Sequence, residues 1–398
     1  MRIGRMTIFG WLSIGILGGA ILAVPAASSP LAAQETDIVI GKTTTIPSRV
    51  LGEPVRLDIS LPAGYDAGRE RYPLLIAFQV QDRFQAVSGI VSGLTTAQIA
   101  PPMIVVSAGL DGDLFSLYAD ERKAGSGGGQ DVLKFLREEL VPFLEARYRT
   151  VPYRIILGHS NSALFGLYAL FAAPDLFQAV LAGGPMFAEF DQARIIEILD
   201  GAMKTRPAAS QYLLFSQGNQ PELAGGLAAF QNLLQARKPG GLIWAFHPEP
   251  GENHGSVALK TLYDGLRDLF ADWATLPETV AAGGGGAIRA YKKSLADRFG
   301  YGIGLAAYAD FRLRVKWAEE KRYDALISLM KYACEERPED YHNHLSLALA
   351  FQQAGRREQA IAAYETALNK AKENLPAEMR AKVVPRLEAL LAAIKQAR

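Results

Sequence analysis

Short apolar segments alternate with helical patterns between residues 36 and 277, and this alternation predicts the fold class. Residues 74–78 and 103–108 are short, apolar and rich in β-forming side chains, as buried strands are. Similar segments recur at residues 155–157, 179–182, 212–215 and 242–246. Strands that alternate with helices predict an α/β fold, in which helices cover both faces of a mostly parallel sheet.

Two other segments have amphipathic periods. Residues 55–61 alternate apolar and polar side chains, which predicts an antiparallel strand at the edge of the sheet. Residues 131–148 instead place apolar side chains four residues apart, at Val132, Leu136 and Leu140. That spacing predicts one amphipathic helix over the whole segment.

The chain changes character beyond residue 277. Residues 281–287 read AAGGGGA, and this composition predicts a flexible linker within a connecting segment, residues 278–302. Residues 303–398 have helical patterns and no strand pattern, so we expect an all-α domain there. The α/β domain is expected to occupy residues 36–277.

Part of the helical region has a recognisable repeat pattern. Residues 344–372 resemble one tetratricopeptide repeat, with Gly355 at the turn between its two helices. Residues 323–338 match the repeat in part, and Lys321 stands where a turn glycine is expected. One interpretation is a groove for a peptide or protein partner. The other is a helical cap on the α/β domain, which the small number of repeats favours.

The N-terminal residues are typical of a secretory signal peptide. Arg2 and Arg5 precede a long uncharged apolar stretch, and small residues follow up to Ala33. Cleavage after Ala33 would remove residues 1–33 and export the chain to the periplasm or the medium, with no membrane span left. The alternative is an uncleaved anchor, because residues 7–27 could just cross a bilayer.

Charge and cysteine content exclude several classes of function. The 398 residues include 42 Lys and Arg against 41 Asp and Glu, a net charge of +1 without long basic runs, so we expect no nucleic-acid partner. Cys334 is the single cysteine, so no internal disulfide can form, and its helical pattern indicates a buried apolar role. The sequence has no zinc spacing, phosphate loop or dinucleotide fingerprint, so we expect no metal and no cofactor.

The candidate chemistry begins with the sequence GHSNS at residues 158–162. It lies between the apolar segment 155–157 and a helical pattern that begins at Ala163. This is the strand–turn–helix context in which a strained turn exposes a serine hydroxyl above a sheet. The pattern predicts Ser160 as a nucleophile. The alternative is an ordinary helix N-cap serine.

A nucleophilic serine needs a base and a group that orients the base. His254 follows the last predicted strand, where such a base is expected, while His247 and His159 are interpreted as structural. Glu222 is the carboxylate in the loop after residues 212–215, so we select it as the acid. The alternatives are an exposed loop glutamate and a histidine held by a backbone carbonyl.

The oxyanion of an acyl-transfer reaction needs backbone N–H donors. The N–H of Asn161 is the expected first donor, because Asn161 follows the serine. The expected second donor lies in the loop after residues 74–78, near Val80 or Gln81.

Residues 46–270 resemble the putative-esterase family of α/β-hydrolases, which includes the ferric-enterobactin esterases and esterase D-like enzymes. The resemblance rests on the segments SRVLGE (48–53), LPAGYD (61–66), RYP (71–73), LVPF (140–143), YRIILGHS (153–160), PDLF (174–177) and ENHGS (252–256). It implies the α/β-hydrolase fold and hydrolysis of a small-molecule carboxylic ester. It also implies Ser160 as nucleophile and His254 as base.

The chain departs from the family pattern at three places. Gln79 and Val80 replace an Asp-Gly pair, Ser162 and Ala163 replace two glycines, and residues 113–118 replace an Arg-x-x-Asp-Leu-Thr-Pro segment. These changes indicate a substrate that differs from those of the better-known members. Siderophore esters are one option among many and are not ranked first. Two other interpretations of the function remain. One is an inactive hydrolase-like domain whose tail binds a partner, and the other is an acyltransferase that uses the same acyl-enzyme.

Overall fold

The computed structural model describes residues 35, 37–110, 112–119, 127–188, 191–205, 210–306 and 311–396. The predicted signal peptide, residues 1–33, lies outside the described residues. The predicted cleavage after Ala33 and the alternative membrane anchor lie outside them as well.

The described residues form one eight-stranded sheet in the order β1-β2-β4-β3-β5-β6-β7-β8. Its strands are β1 (Lys42–Pro47), β2 (Pro54–Ser60), β3 (Tyr72–Phe78), β4 (Ile104–Gly109), β5 (Thr150–His159), β6 (Ala179–Gly183), β7 (Gln211–Gln217) and β8 (Leu242–Pro248). Strand β2 runs antiparallel to β1 and β4, and the other neighbours pair in parallel. The prediction of a mostly parallel sheet is confirmed.

The two edges of the sheet differ from the prediction. Strand β2 is antiparallel as expected, but it is not an edge strand, because β1 pairs along its outer side. The apolar pattern does not reveal β1, since its sequence KTTTIP buries Ile46 alone. Strand β8, predicted among the buried strands, forms the opposite edge and leaves Ile243 53% exposed.

Helices cover both faces of the sheet, as predicted. In the α/β part they are α1 (Phe84–Thr96), α2 (Gly129–Phe135), α3 (Val141–Arg147), α4 (Asn161–Ala172), α5 (Gln192–Thr205), α6 (Ala224–Arg237), α7 (Val257–Leu269) and α8 (Ala271–Ala274). Successive side chains of a strand point to opposite faces. Accordingly Ile156 packs with α2 to α6, while Ile155 and Leu157 pack with α1 and α7.

The amphipathic segment predicted as one helix is interrupted. A π-helical turn, Leu136–Leu140, separates α2 from α3. Pro142 lies in the first turn of α3 and has no N–H to donate to the carbonyl four residues earlier. The wider turn before it accommodates this missing hydrogen bond. The buried face is kept, because Val132, Leu136 and Leu140 are all fully buried.

The glycine-rich segment is helical rather than a flexible linker. Helices α9 (Glu278–Ala282) and α10 (Gly284–Phe299) occupy it. Phe299 of α10 stacks on Phe270 with a centroid distance of 5.3 Å and lies 5.3 Å from the ring of Tyr153. Packing against the α/β part therefore outweighs the low helix propensity of the glycines.

The C-terminal region contains α11 (Phe311–Glu319), α12 (Tyr323–Glu336), α13 (Tyr341–Gln353), α14 (Arg357–Asn374) and α15 (Ala377–Gln396). Gly355 turns the chain between α13 and α14 with a φ of 71°, and Lys321 does so between α11 and α12 with a φ of 58°. Both turns lie where the repeat pattern places them.

The helical region and the α/β part share one core. Trp317 and Phe351 belong to the same buried cluster as Leu181 of β6 and Leu266 of α7. The described residues from Ile40 onward accordingly form one compact unit. This packing supports the interpretation of the tail as a helical cap, while the domain boundaries and the repeat assignment stay predictions.

Candidate active site

Ser160 lies on the turn between β5 and α4, at the carboxyl end of a central strand. Its backbone has φ 60° and ψ −122°, a conformation that L-residues rarely adopt. Such backbone strain amounts to about 1–3 kcal/mol and persists only where the surrounding structure enforces it. The strand–turn–helix context predicted for Ser160 is therefore present.

Close backbone packing enforces this turn. A Cβ on Gly158 would lie 2.6 Å from the Cα of Ala163, so no other residue fits there. The N–H of Ser160 donates to the carbonyl oxygen of Gly183 in β6 at 3.1 Å. The carbonyl oxygen of Ser160 accepts from the N–H of Ala163 at 3.1 Å, which starts the first turn of α4.

Gln79 connects this turn to the loop after β3. Its Oε1 accepts the N–H of Ser162 at 2.8 Å. The hydroxyl of Ser162 in turn donates to the carbonyl oxygen of His159 at 2.8 Å. The two departures from the family pattern, at Gln79 and Ser162, therefore bond to each other and hold the serine turn against β3.

His254 lies in the loop between β8 and α7 and reaches the end of β6. Its Nδ1 is hydrogen-bonded to Oε1 of Gln220 at 2.7 Å. A Cβ on Gly184 would lie 3.2 Å from the same nitrogen. Gly184 directly follows Gly183, the residue that accepts the N–H of Ser160. The loops thus bring the predicted base to the strand end beside the serine turn.

His159 holds the loop of the predicted base. Its Nε2 donates to the carbonyl oxygen of His254 at 2.6 Å, and the two ring centroids are 4.5 Å apart. Burial lowers the pKa of His159 to about 4, so the imidazole is neutral near pH 7. The sequence indicated only a packing role for His159, because its contact with residue 254 spans 95 positions.

Gln220, not Glu222, is the partner of the Nδ1 atom of His254. Glu222 lies behind it, with Oε1 accepting from Nε2 of Gln220 at 3.2 Å. Gln220 therefore lies between the predicted acid and the predicted base. Gln220 was not predicted because the expected acid is a carboxylate, and Glu222 is the carboxylate in the loop GNQPE (218–222).

Arg83 connects the loop after β3 to the loop of His254. Its guanidinium donates to the carbonyl oxygen of Gly255, and its backbone N–H donates to the carbonyl oxygen of Val80 at 2.9 Å. No sequence pattern distinguishes this arginine from the others in the chain. Arg83 thus connects the segment that carries Val80, one of the two predicted oxyanion donors, to the loop of the predicted base.

A second group of titratable side chains lies on β8, the loop after it and α7. Ligand atoms of His247, Glu249 and Asp264 all lie within 4.8 Å of one another. The ammonium of Lys260 pairs with Asp264 and, at 3.4 Å, with Glu249, and Arg267 also pairs with Asp264 at 3.1 Å, so these carboxylates already have cationic partners. His247, on the outer strand β8, also faces Asp268 of α7 at 3.7 Å.

A strained serine turn after a central parallel strand, with a histidine from the loop after the last strand, defines the α/β-hydrolase class. The comparisons with known proteins agree with this assignment. Residues 48–208 match the model of the family described as "Putative esterase". The matched residues include Ser160 but end before Gln220 and His254.

One curated relative is the ferri-bacillibactin esterase BesA of Bacillus subtilis (strain 168), 40% identical over 60 residues. The match spans 15% of this chain and 21% of the relative, so it covers about a fifth of that protein.

Solved structures share the fold. An IroE-like serine hydrolase from Shewanella oneidensis has a TM-score of 0.63 and 22% identity, covering 73% of this chain and 98% of that one. An uncharacterised protein from Capnocytophaga ochracea has a TM-score of 0.63 and 15% identity, covering 87% and 99%. The siderophore hydrolase EstB from Aspergillus nidulans has a TM-score of 0.53 and 19% identity, covering 61% and 99%.

Proposed function

We propose that the protein is a serine carboxylic-ester hydrolase that works through an acyl-enzyme. The observation that carries this proposal is the strained backbone of Ser160 beside a histidine loop that is fixed from several sides. The match of residues 48–208 to the esterase family supports the same reaction class.

The mechanism assigns two steps to this pair. The Ser160 hydroxyl attacks the ester carbonyl while Nε2 of His254 takes its proton, and the protonated histidine then returns that proton to the leaving alcohol. In the second step His254 takes a proton from water, which attacks the acyl-serine ester. The bond between the acyl carbon and the Ser160 oxygen then breaks, the protonated His254 returns its proton to that oxygen, and the acid is released.

The backbone N–H groups of Asn161 and Val80 are proposed to bind the oxyanion in both steps. Asn161 is the first residue of α4, where the helix dipole also favours negative charge. A donor of this kind contributes about 3 kcal/mol to transition-state stabilisation.

The substrate is proposed to be a small-molecule ester. BesA is named a ferri-bacillibactin esterase and EstB a siderophore hydrolase, and we therefore include a siderophore ester among the candidate substrates. The replaced segment at residues 113–118 favours a substrate other than that of the family's better-known members.

Export is proposed from the N-terminal pattern of residues 1–33. Within the described part of the chain, no helix combines the length and the apolar character needed to cross a membrane. The helical tail is proposed to be a structural cap, because its core is continuous with that of the sheet.

The test is hydrolysis of p-nitrophenyl esters with short and long acyl chains, alongside a siderophore ester. Turnover should fall by at least about a thousandfold in Ser160→Ala, because the acyl-enzyme cannot form. Ser294→Ala, on the exposed face of α10, is the matched control and should keep full activity. Equal rates in Ser160→Ala and the control would refute the proposal.

A further inference from the structure

The Nδ1 atom of the proposed base faces the side-chain amide of Gln220. In the described residues, Oε1 of Gln220 lies 2.7 Å from Nδ1 of His254, and Nε2 of Gln220 lies 3.2 Å from Oε1 of Glu222. The three side chains form a line that runs from an exposed carboxylate, through an amide, to the imidazole.

We propose that Gln220 is the positioning residue of His254 and that Glu222 acts through it, by fixing which end of the amide faces the imidazole. This inference rests on the proposed function. It replaces the direct acid–base pair expected from the sequence with a carboxylate–amide–imidazole relay.

The relay determines the tautomer of the base. Nε2 of His254 can accept the serine proton only if the neutral ring carries its hydrogen on Nδ1. That hydrogen needs an acceptor, and the amide of Gln220 offers one at Oε1 but only donors at Nε2. A flipped amide would favour the other tautomer, and a tautomer error of this kind lowered kcat about 10⁴-fold in the Asp-to-Asn variant of a serine protease triad.

Glu222 selects the productive orientation of the amide. An ionised carboxylate can only accept hydrogen bonds, so it must face the Nε2 end of Gln220. The opposite end, Oε1, is then directed to His254. The backbone is held as well, because Nε2 of Gln217 donates to the carbonyl oxygen of Gln220 at 2.6 Å.

Because the Gln220 amide is neutral, the protonation of His254 depends on the other charged groups around it. On neighbouring elements, His159 is neutral near pH 7 and Arg83 reaches the carbonyl oxygen of Gly255. On its own loop Glu252 is half-buried, and Glu222 is separated from the ring by the amide. A carboxylate at position 220 would thus place a negative charge beside Nδ1 of His254, where the wild-type amide is neutral.

The first experiment compares the pH profile of kcat/KM in wild type and Gln220→Glu. A carboxylate bonded to Nδ1 stabilises the imidazolium and raises its pKa, so the acidic limb should move to higher pH by about one unit. Gln235→Glu adds the same charge on the exposed face of α6 and should leave the profile unchanged. An unshifted limb in an active Gln220→Glu enzyme would overturn the inference.

The second experiment tests the role of Glu222 independently. Glu222→Leu removes the acceptor, frees the amide to flip and should lower kcat by about tenfold or more with little change in KM. Glu222→Gln keeps an acceptor oxygen and should restore nearly the wild-type kcat. Equal losses in the two variants would contradict the orienting role.

Failure of the inference can be told apart from failure of the proposed function. If wild type hydrolyses no ester and Ser160 is not labelled by a fluorophosphonate, the proposed function fails. If wild type is active but Gln220→Glu shows no shift and Glu222→Leu matches Glu222→Gln, only the relay fails.

Discussion

Nε2 of His159 donates a hydrogen bond to the backbone carbonyl oxygen of His254 at 2.6 Å. The residue immediately before the proposed nucleophile therefore holds the backbone of the proposed base. Since β5 ends at His159 and the turn starts at Ser160, one rigid strand end positions both groups.

This contact predicts a pH-dependent contribution to stability. The pKa of His159 is lowered by burial to about 4, against about 6.5 in an unfolded chain. Between these values the unfolded state binds the extra proton, so stability is lost as pH falls from 6.5 towards 4, by about 3 kcal/mol in total. Urea unfolding at pH 7.5 and 4.5 should show a larger loss in wild type than in His159→Gln, which cannot titrate. The same loss in both proteins would contradict the assignment.

Gly184 is expected to be needed for the position of His254. Its φ is +58°, and a Cβ there would lie 3.2 Å from Nδ1 of His254. Gly184→Ala should destabilise the fold by about 1 kcal/mol and lower kcat, because the imidazole must move. Gly286→Ala is the control, since its Cβ would meet nothing within 4 Å and the residue lies in α10. The idea fails if the two variants have equal kcat.

Arg83 is expected to affect turnover more than stability. Its guanidinium bonds the carbonyl oxygen of Gly255, next to the proposed base. Arg83→Met should lower kcat about five- to tenfold, the effect of losing about 1–1.4 kcal/mol of positioning. Arg71 also donates to a backbone carbonyl, that of Thr150 at 3.2 Å, but at the opposite end of β3. Steady-state kinetics of Arg71→Met should match wild type, and a comparable loss there would argue against a specific role for Arg83.

Phe299 is expected to couple the helical region to the sheet. It is buried against Phe270 and Tyr153, each at a centroid distance of 5.3 Å. Phe299→Ala should lower the free energy of unfolding by about 3–5 kcal/mol, as truncation of a core aromatic does. Leu349→Ala, at a side chain that is 42% exposed, should change it little. A Phe299→Ala protein as stable as wild type would show that the two regions are independent.

The sequence predicts most of the sheet and the nucleophile because these leave local signals. Apolar segments locate β3 to β7, and GHSNS locates the serine turn, since close packing there requires small residues within five positions. Strand β1 leaves no such signal, because Thr43 and Thr45 are exposed, Thr44 is half-buried, and the strand is held by its pairing with β2.

The groups that hold His254 could not be predicted, because they meet it from distant segments. Gln220 lies 34 positions from His254, His159 lies 95 positions away, and Arg83 lies 172 positions from Gly255. The prediction of a flexible linker at the glycines of α10 was wrong for a related reason. Local composition favours a linker there, and only the contacts of Phe299 show why the segment is helical.

Whether Ser160 is an activated nucleophile is tested most directly by covalent labelling with a fluorophosphonate, followed by intact mass. Wild type should gain one phosphonyl group, Ser160→Ala none, and His254→Ala should react far more slowly because the serine keeps its proton. A folded wild-type protein that stays unlabelled, or equal labelling of wild type and Ser160→Ala, would contradict the esterase mechanism. An unlabelled wild type would favour the inactive hydrolase-like domain whose helical tail binds a partner.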